Sequence, residues 1–289
     1  GQLRHFGKTL MSEKTERVCG NLRWLAERRR NTGKLIDVSL RNLADAMGEL
    51  FSPDCFFPEE EVAAVQRTLQ CESPRSRLVF ASLLSDAVRR KAPGFSPWES
   101  GTTGEKTGRT IRVAYVPSEK TERVIRKLTP RLGEVTVFYT ERMTEAAEAA
   151  ASGEAESALL AFEGAGGEAV SVVFRSAREN DVRPLCLFSP GDENDLSSFA
   201  LWGTKSVLKD ASPETLLFLR LFGEMPSLEE AAEEYGFAVS RLSLKRDGYF
   251  RPLTEVVLTG KGDDAALFLY LRFFFSGTVT GGKVYRFYE

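Results

Sequence analysis

The sequence predicts a multidomain α+β protein in which an all-α module, an α/β module and a module of four strands and two helices follow one another. Three observations lead to this fold class. Apolar residues recur at helical spacing up to Lys91, strand and helix patterns alternate after Thr110, and a strand-helix-strand-strand-helix-strand pattern follows Pro213. A chain of 289 residues is long enough for two domains or for three small ones.

The composition argues against several classes of function. The chain has 39 basic and 41 acidic side chains and a net charge of -2, so neither nucleic acid nor a membrane is expected as a partner. The single histidine, His5, lies near the N-terminus, which argues against a Ser-His-Asp triad or a histidine zinc site. We therefore expect no metal and no cofactor, and any chemistry would use Arg, Lys, carboxylates and hydroxyls.

The cysteines and the hydropathy indicate the compartment. The four cysteines form no C-x-x-C pair, which is typical of reduced thiols. No segment approaches the ~20 apolar residues of a membrane span, and the N-terminus lacks the apolar region of a signal peptide. A cytoplasmic protein is expected.

The first module, residues 1–97, is predicted to be helical. The segment Ser12–Phe51 lacks proline and has apolar residues at helical spacing, which indicates one long helix or two abutting ones. Ser52-Pro53-Asp54 ends this segment, and Pro58 followed by three glutamates begins the next helix. A further helix follows Ser73-Pro74 and ends near Lys91.

A linker is predicted over residues 98–110. Proline, glycine, serine and threonine dominate between Pro93 and Thr110, with Gly101-Thr102-Thr103-Gly104 at the centre. This composition is typical of a connection between domains and not of a core.

The second module, residues 111–209, is predicted to hold a parallel or mixed sheet, because strands and helices alternate. The predicted elements are strand Ile111–Val116, helix Glu122–Leu128, strand Val135–Tyr139, helix Glu141–Ser152, strand Ser157–Phe162, a further helix after Val170, and strands Pro184–Phe188 and Ser198–Trp202. Right-handed crossovers are expected between the parallel strands.

The third module, residues 213–289, follows the βαββαβ order of the ferredoxin-like plan. The predicted elements are strand Thr215–Leu221, helix Ser227–Tyr235, strand Phe237–Leu244, strand Leu253–Thr259, helix Asp263–Phe274 and strand Lys283–Tyr288. Asp247-Gly248 predicts a hairpin turn between the two central strands.

Three segments carry a resemblance to a known family. Leu25-Ala26-Glu27-Arg28 is similar to the first-helix signature of the helical chorismate mutases. The strand Arg112–Pro117 looks like the opening strand of prephenate dehydratases, and Ser152–Glu163 resembles their segment that ends in Pro-Ile-Glu-Asn-Ser. With the module order, the chain therefore resembles a divergent, shortened member of the bifunctional P-protein family, which joins chorismate mutase, prephenate dehydratase and an ACT regulatory domain.

The resemblance implies a fold, a pathway and a class of ligand. It implies a helical mutase-like module, a single α/β lobe of the periplasmic-binding-protein-like dehydratase type, and a C-terminal ACT domain. It also implies phenylalanine biosynthesis, a homodimer, and as ligand a small dicarboxylate (chorismate or prephenate) or an aromatic amino acid.

The implied mutase site is a cationic pocket that holds a dicarboxylate in its compact conformer, because this rearrangement needs no proton transfer. In the family, the arginine that matches Arg28 reaches a substrate carboxylate. Ser39 stands where the mutases have a lysine, so only Lys34, Arg41 and Lys91 could substitute. The alternative is that the three arginines from Arg28 onward form a solvated helix face.

The implied dehydratase site keeps two of the family's groups. Glu163 matches the family glutamate, and Ser197 keeps the hydroxyl of the Thr-Arg-Phe motif, whose arginine is replaced by Ser198. The glycine-bearing turn after the first strand is Ser118-Glu119-Lys120-Thr121, without glycine. About 34 residues separate Glu163 from Ser197, too few for the second lobe of the dehydratases. Loss of dehydratase activity is therefore predicted.

The ACT-like module departs from its family at one turn. Pro226 stands where the family has a glycine, and proline donates no backbone N–H to an amino-acid ligand. The aromatic residues of the last helix are interpreted as core plus a dimer face between two ACT domains.

Two functions remain open from the sequence. One is an enzyme, with chorismate mutase more expected than prephenate dehydratase. The other is a non-catalytic relative that senses an aromatic amino acid or binds a partner through its ACT-like domain.

Overall fold

The computed structural model describes residues 13–27, 33–70, 72–98, 110–204, 214–224, 227–246 and 252–288. Several features of the sequence analysis lie outside the described residues. They include His5, Arg28, the centre of the linker, Pro226 and the predicted turn at Asp247-Gly248.

The helical module contains four helices in its described part, α1 (Glu13–Glu27), α2 (Gly33–Leu50), α3 (Glu59–Gln70) and α4 (Pro74–Lys91). The first segment is therefore two helices and not one long helix. Lys14 at the start of α1 and Glu49 at the end of α2 form an ion pair, with Nζ and Oε1 2.8 Å apart. The two helices thus run antiparallel, as a hairpin.

In the described part of the chain, the α/β module contains eight helices and strands, and the last module contains six. They are β1 (Ile111–Tyr115), α5 (Glu119–Leu132), β2 (Val135–Tyr139), α6 (Met143–Ser152), β3 (Ser157–Glu163), α7 (Ser171–Glu179), β4 (Arg183–Ser189) and β5 (Ser198–Gly203), then β6 (Glu214–Phe222), α8 (Leu228–Glu234), β7 (Ala238–Arg246), β8 (Pro252–Thr259), α9 (Asp264–Phe274) and β9 (Thr278–Tyr288). The order of strands and helices agrees with the sequence prediction, but β9 begins five residues before the predicted strand.

All these strands belong to one mixed sheet in the order β2-β1-β3-β5-β4-β9-β6-β8-β7. Strand β1 pairs parallel with β2 and β3, whereas β5 pairs antiparallel with β3 and β4. The four strands of the last module pair antiparallel in the order β9-β6-β8-β7. Strand β4 pairs in parallel with β9, so the two modules share a sheet across the division predicted after residue 209.

Helices cover both faces of the sheet. Helices α6 and α7 pack on one face, where Leu160 and Trp202 belong to the same buried cluster. On the other face, α5 packs against the strands of the α/β module, and α8 and α9 pack against those of the last module. This arrangement buries strands β3, β4 and β5, whereas edge strand β2 stays largely exposed.

The aromatic face of α9 packs against the helical module of the same chain. The Phe273 ring lies 5.5 Å from the Phe57 ring and 5.5 Å from the Phe80 ring, between ring centroids. Phe273 is 2% exposed. The sequence interpretation divided these aromatic residues between core and a contact between two ACT domains; Phe273 is a core residue, and the contact between two ACT domains stays a prediction.

Polar contacts fasten the same two modules together. Arg89 on α4 donates two hydrogen bonds to Asp263, which also caps α9 by accepting from the Ala266 amide. The Trp98 indole donates to the Asp264 carbonyl at 3.1 Å. The start of α9 is thus held by the helical module as well as by its own cap.

A buried ionic cluster lies under α7, on the face of the sheet that α6 and α7 cover. Glu255 on β8 accepts from Arg220 Nε on β6 at 3.1 Å and from Arg178 Nη1 on α7 at 2.7 Å. The side chains of Glu255 and Arg220 are 2% and 3% exposed. Their charges therefore compensate one another inside the fold.

Within the described residues, no helix is both long enough and apolar enough to cross a membrane.

Candidate ligand-binding site

A crevice lies where the parallel strands of the α/β module end. Its volume is about 110 Å³, and its lining comes from the start of α5, the end of β4 and the loop before β5. The lining residues are Lys120, Arg123, Val124, Phe188, Pro190, Asp195, Ser197 and Phe199. Open α/β sheets bind their ligands at this edge, where the helices that follow the strands begin.

The start of α5 is fixed by a capping box. The Thr121 amide donates to Ser118 Oγ at 3.1 Å, and the Ser118 amide donates to Thr121 Oγ1 at 2.8 Å. The two side chains thus satisfy backbone groups at the start of the helix. The cap also sets the direction in which Lys120 and Arg123, three residues apart on one helix face, leave the helix.

Two cations stand at the crevice without a carboxylate partner. Lys120 and Arg123 are exposed, and neither forms an ion pair in the part of the chain that the structure describes. Glu122 is engaged by the Tyr115 hydroxyl at 3.0 Å, and Glu119 does not line the crevice. The α5 side of the crevice is therefore positively charged.

The loop before β5 contributes a carboxylate and a hydroxyl to the lining of the crevice. The Ser197 amide donates to Asp195 Oδ1 at 2.9 Å. Hydrogen bonds from Ser197, together with the positive charge of Lys120, hold the pKa of Asp195 below its usual value. Asp195 is therefore an anion at neutral pH.

The floor between these charges is apolar. Phe188 at the end of β4 and Phe199 at the start of β5 are neighbours in the sheet. Val124 and Pro190 complete the apolar lining. A ligand in the crevice would thus contact opposite charges at its mouth and aromatic rings below.

The two residues predicted for the dehydratase site lie at this same sheet edge, but only Ser197 lines the crevice. Glu163 Oε2 accepts a hydrogen bond from Ser198 Oγ at 2.8 Å. Ser198, which replaces the family arginine, is 1% exposed. Ser198 therefore joins β5 to the end of β3 and does not face a ligand.

Two of the residues predicted for the mutase site, Lys34 and Lys91, lie far apart in the described part of the chain. Lys91 donates to the Glu49 carbonyl at the end of α2, whereas Lys34 lies in the first turn of α2, about 22 Å away at 1.5 Å per residue. Arg41 is exposed on α2, and Arg28 lies outside the described residues. Within one chain, Lys34 and Lys91 therefore stay apart.

A second cavity lies beside Lys91, between α1, α2 and α4. Its charged lining is mixed, with the cations Lys14, Arg90 and Lys91 and the acids Asp45 and Glu49. Lys14 pairs with Glu49, and Arg90 pairs with Asp45. The internal ion pairs leave this cavity less positive than a dicarboxylate site requires.

Sequence reasoning missed Lys120, Arg123 and Asp195. The available signal was a pair of cations three residues apart, directly after the strand Ile111–Tyr115. Asp195 carries no such signal, because only the fold brings its loop opposite α5. In the described part of the chain, no group of three or more His, Cys, Asp or Glu side chains is arranged to hold a metal ion.

Comparisons with known proteins give similarities of fold. No protein-family model matches the sequence, and no curated protein matches it. A prephenate dehydratase from Streptococcus mutans aligns at 12% identity and a TM-score of 0.47, over 61% of this chain and 100% of that chain.

Two further solved structures align to a similar extent. A prephenate dehydratase from Arthrobacter aurescens in complex with L-Phe has 11% identity and a TM-score of 0.47, over 61% of this chain and 90% of that chain. GqqA, described as a novel type of quorum quenching acylase, has 16% identity and a TM-score of 0.46, over 60% and 94%. Similarities at this level do not establish a family for the chain.

Proposed function

We propose that the protein is a non-catalytic relative of the enzymes of phenylalanine biosynthesis, and that it binds a small aromatic carboxylate in the crevice at the start of α5. One observation carries the proposal. Lys120 and Arg123 face the crevice without ion-pair partners among the described residues, above an apolar floor that includes Phe188 and Phe199. Cations of this kind bind carboxylates through charge-assisted hydrogen bonds.

The same crevice offers little for catalysis. Dehydration of a substrate alcohol needs an acid that protonates the leaving hydroxyl. Asp195 is the carboxyl group that lines the crevice, and its lowered pKa leaves it without a proton to donate at neutral pH. Glu163 is bonded to Ser198 outside the lining. Binding without turnover is the consistent interpretation.

Replacing Lys120 or Arg123 by alanine is expected to weaken ligand binding by roughly ten- to a hundredfold each, since a hydrogen bond to a charged group contributes roughly 1.5–3 kcal/mol. Isothermal calorimetry with L-phenylalanine, L-tyrosine, prephenate and chorismate measures the effect. Arg126→Ala is the matched control, because Arg126 is an exposed cation of the same helix outside the crevice lining. Equal affinities of all variants for every ligand bound would overturn the proposed site.

Turnover provides the second test. Purified protein is expected to convert neither prephenate to phenylpyruvate nor chorismate to prephenate above the uncatalysed rate. Absorbance assays of both products measure this. Chorismate turnover that is lost in Arg28→Ala would instead identify the helical module as a mutase. Prephenate conversion would refute the non-catalytic proposal directly.

A further inference from the structure

We infer that the ligand of the crevice is an aromatic α-amino acid, and that Asp195 recognises its ammonium group. The inference rests on the proposed function, because it takes the crevice to be a carboxylate site. It selects one of the two ligand classes that the sequence left open, the zwitterionic amino acid over the dicarboxylate.

The distribution of charge supports a zwitterion. Lys120 and Arg123 come from α5, whereas Asp195 comes from the loop before β5 and lines the same crevice. Lys120 acts electrostatically on Asp195, yet no ion pair joins them among the described residues. The positive side chains and the negative side chain thus line the same crevice without forming an ion pair with each other.

A zwitterion matches this pattern because its ammonium and carboxylate groups are held on one carbon atom. Its carboxylate would meet Lys120 and Arg123, and its ammonium group would meet Asp195. A dicarboxylate would place its second negative charge beside Asp195, and a like-charge contact across an interface is costly. Asp195 therefore weakens the binding of dicarboxylates and strengthens the binding of amino acids.

The apolar lining indicates the side chain of the ligand. Phe188 and Phe199 form the floor, and Val124 and Pro190 flank them. An apolar protein cavity of roughly 150 Å³ binds a benzene ring, so the crevice, with a volume of about 110 Å³, has room for one aromatic ring at most. A single ring would cover the two phenylalanines, whereas a short aliphatic side chain would leave them uncovered.

The test compares ligands that differ by one group. Calorimetry is performed with L-phenylalanine, with 3-phenylpropanoate, which lacks the amine, with L-alanine, which lacks the ring, and with prephenate. L-phenylalanine is expected to bind at least tenfold more tightly than each of the other three. Asp195→Asn is expected to reduce this preference over 3-phenylpropanoate to less than threefold without weakening 3-phenylpropanoate itself.

A pH series gives an independent readout of Asp195. Lys120 and Arg123 face it from α5, and Asp192 and Glu193 lie on its own loop. Because the pKa of Asp195 is lowered, the affinity for L-phenylalanine should be constant around neutral pH and should fall as the pH drops through that lowered value. In Asp195→Asn the affinity for L-phenylalanine should be low at neutral pH and should show no such fall.

Glu193→Gln is the matched control, because Glu193 is an exposed carboxylate of the same loop outside the crevice lining. Circular dichroism verifies that each variant is folded. If 3-phenylpropanoate binds as tightly as L-phenylalanine, or if Asp195→Asn retains the preference, the inference fails while the carboxylate site stands. If none of the ligands binds, the proposed function fails as well. It also fails if the affinity is unchanged in Lys120→Ala, in Arg123→Ala and in Asp195→Asn.

Discussion

Replacing Glu255 by alanine is expected to lower the free energy of unfolding by about 3–5 kcal/mol, the usual consequence of removing one partner from a buried ion pair. Glu255 accepts hydrogen bonds from Arg220 and Arg178, and its side chain is 2% exposed. Burial lowers the pKa of Arg220, and the charge of Glu255 opposes that shift. Without Glu255, the positive charge of Arg220 would remain inside the fold with little compensation.

Urea denaturation of the wild type and of Glu255→Ala measures this effect. Glu229→Ala is the control, because Glu229 is an exposed glutamate on α8, and surface substitutions of this kind usually stay within about 0.5 kcal/mol. The double variant Arg220→Met with Glu255→Leu is expected to recover most of the loss, since apolar residues often replace buried ion pairs at little cost. A loss below about 1 kcal/mol for Glu255→Ala would show that Arg220 finds another partner.

Replacing Phe273 by alanine is expected to cost about 3–5 kcal/mol, the range found for buried phenylalanines. The Phe273 ring fills the space between α9 and the helical module, in edge contact with Phe57 and Phe80. Its removal leaves a cavity at the contact between the two modules. The helical module is therefore expected to lose more stability than the sheet.

Thermal denaturation and amide hydrogen exchange measure the two parts of this expectation. The melting temperature should fall, and protection in α3 and α4 should decrease more than protection in β1 and β3. Phe273→Leu is the matched control, because a leucine retains most of the apolar volume and should lose substantially less stability. Unchanged exchange in α3 and α4 would mean that these helices do not depend on α9.

The local elements could be predicted because their signals are local. The Ser73-Pro74 pair marks the start of α4, where Ser73 accepts a hydrogen bond from the Ser76 amide and Pro74 occupies the first turn. The alternation of apolar residues after Thr110 predicted the strands of the mixed sheet. In contrast, Ser12–Phe51 did not distinguish one helix from two, because residues 28–32 contain no proline or glycine that would mark a break.

The contacts between modules could not be predicted in the same way. The pairing of β4 with β9 joins segments almost a hundred residues apart in the chain. This pairing is formed by backbone hydrogen bonds, which do not require particular residue types and so cannot be inferred from the sequence. The aromatic residues of α9 showed only that this helix has an apolar face that must pack against another part of the protein or against a second chain. Whether a second chain or the helical module covers Phe273 depends on where the modules dock.

The sequence by itself determined the order of helices and strands and the βαββαβ pattern of the last module. These properties follow from periodicity, capping residues and turns, whose physical causes act over a few neighbours. Only the tertiary structure decided that the sheet is continuous, that Lys91 on α4 contacts the end of α2 remote from Lys34, and that Asp195 and Lys120 line one crevice. Such relations depend on how distant segments pack against one another. This packing is driven by the burial of apolar surface, so it does not depend on which charged residues stand at the edge of the sheet.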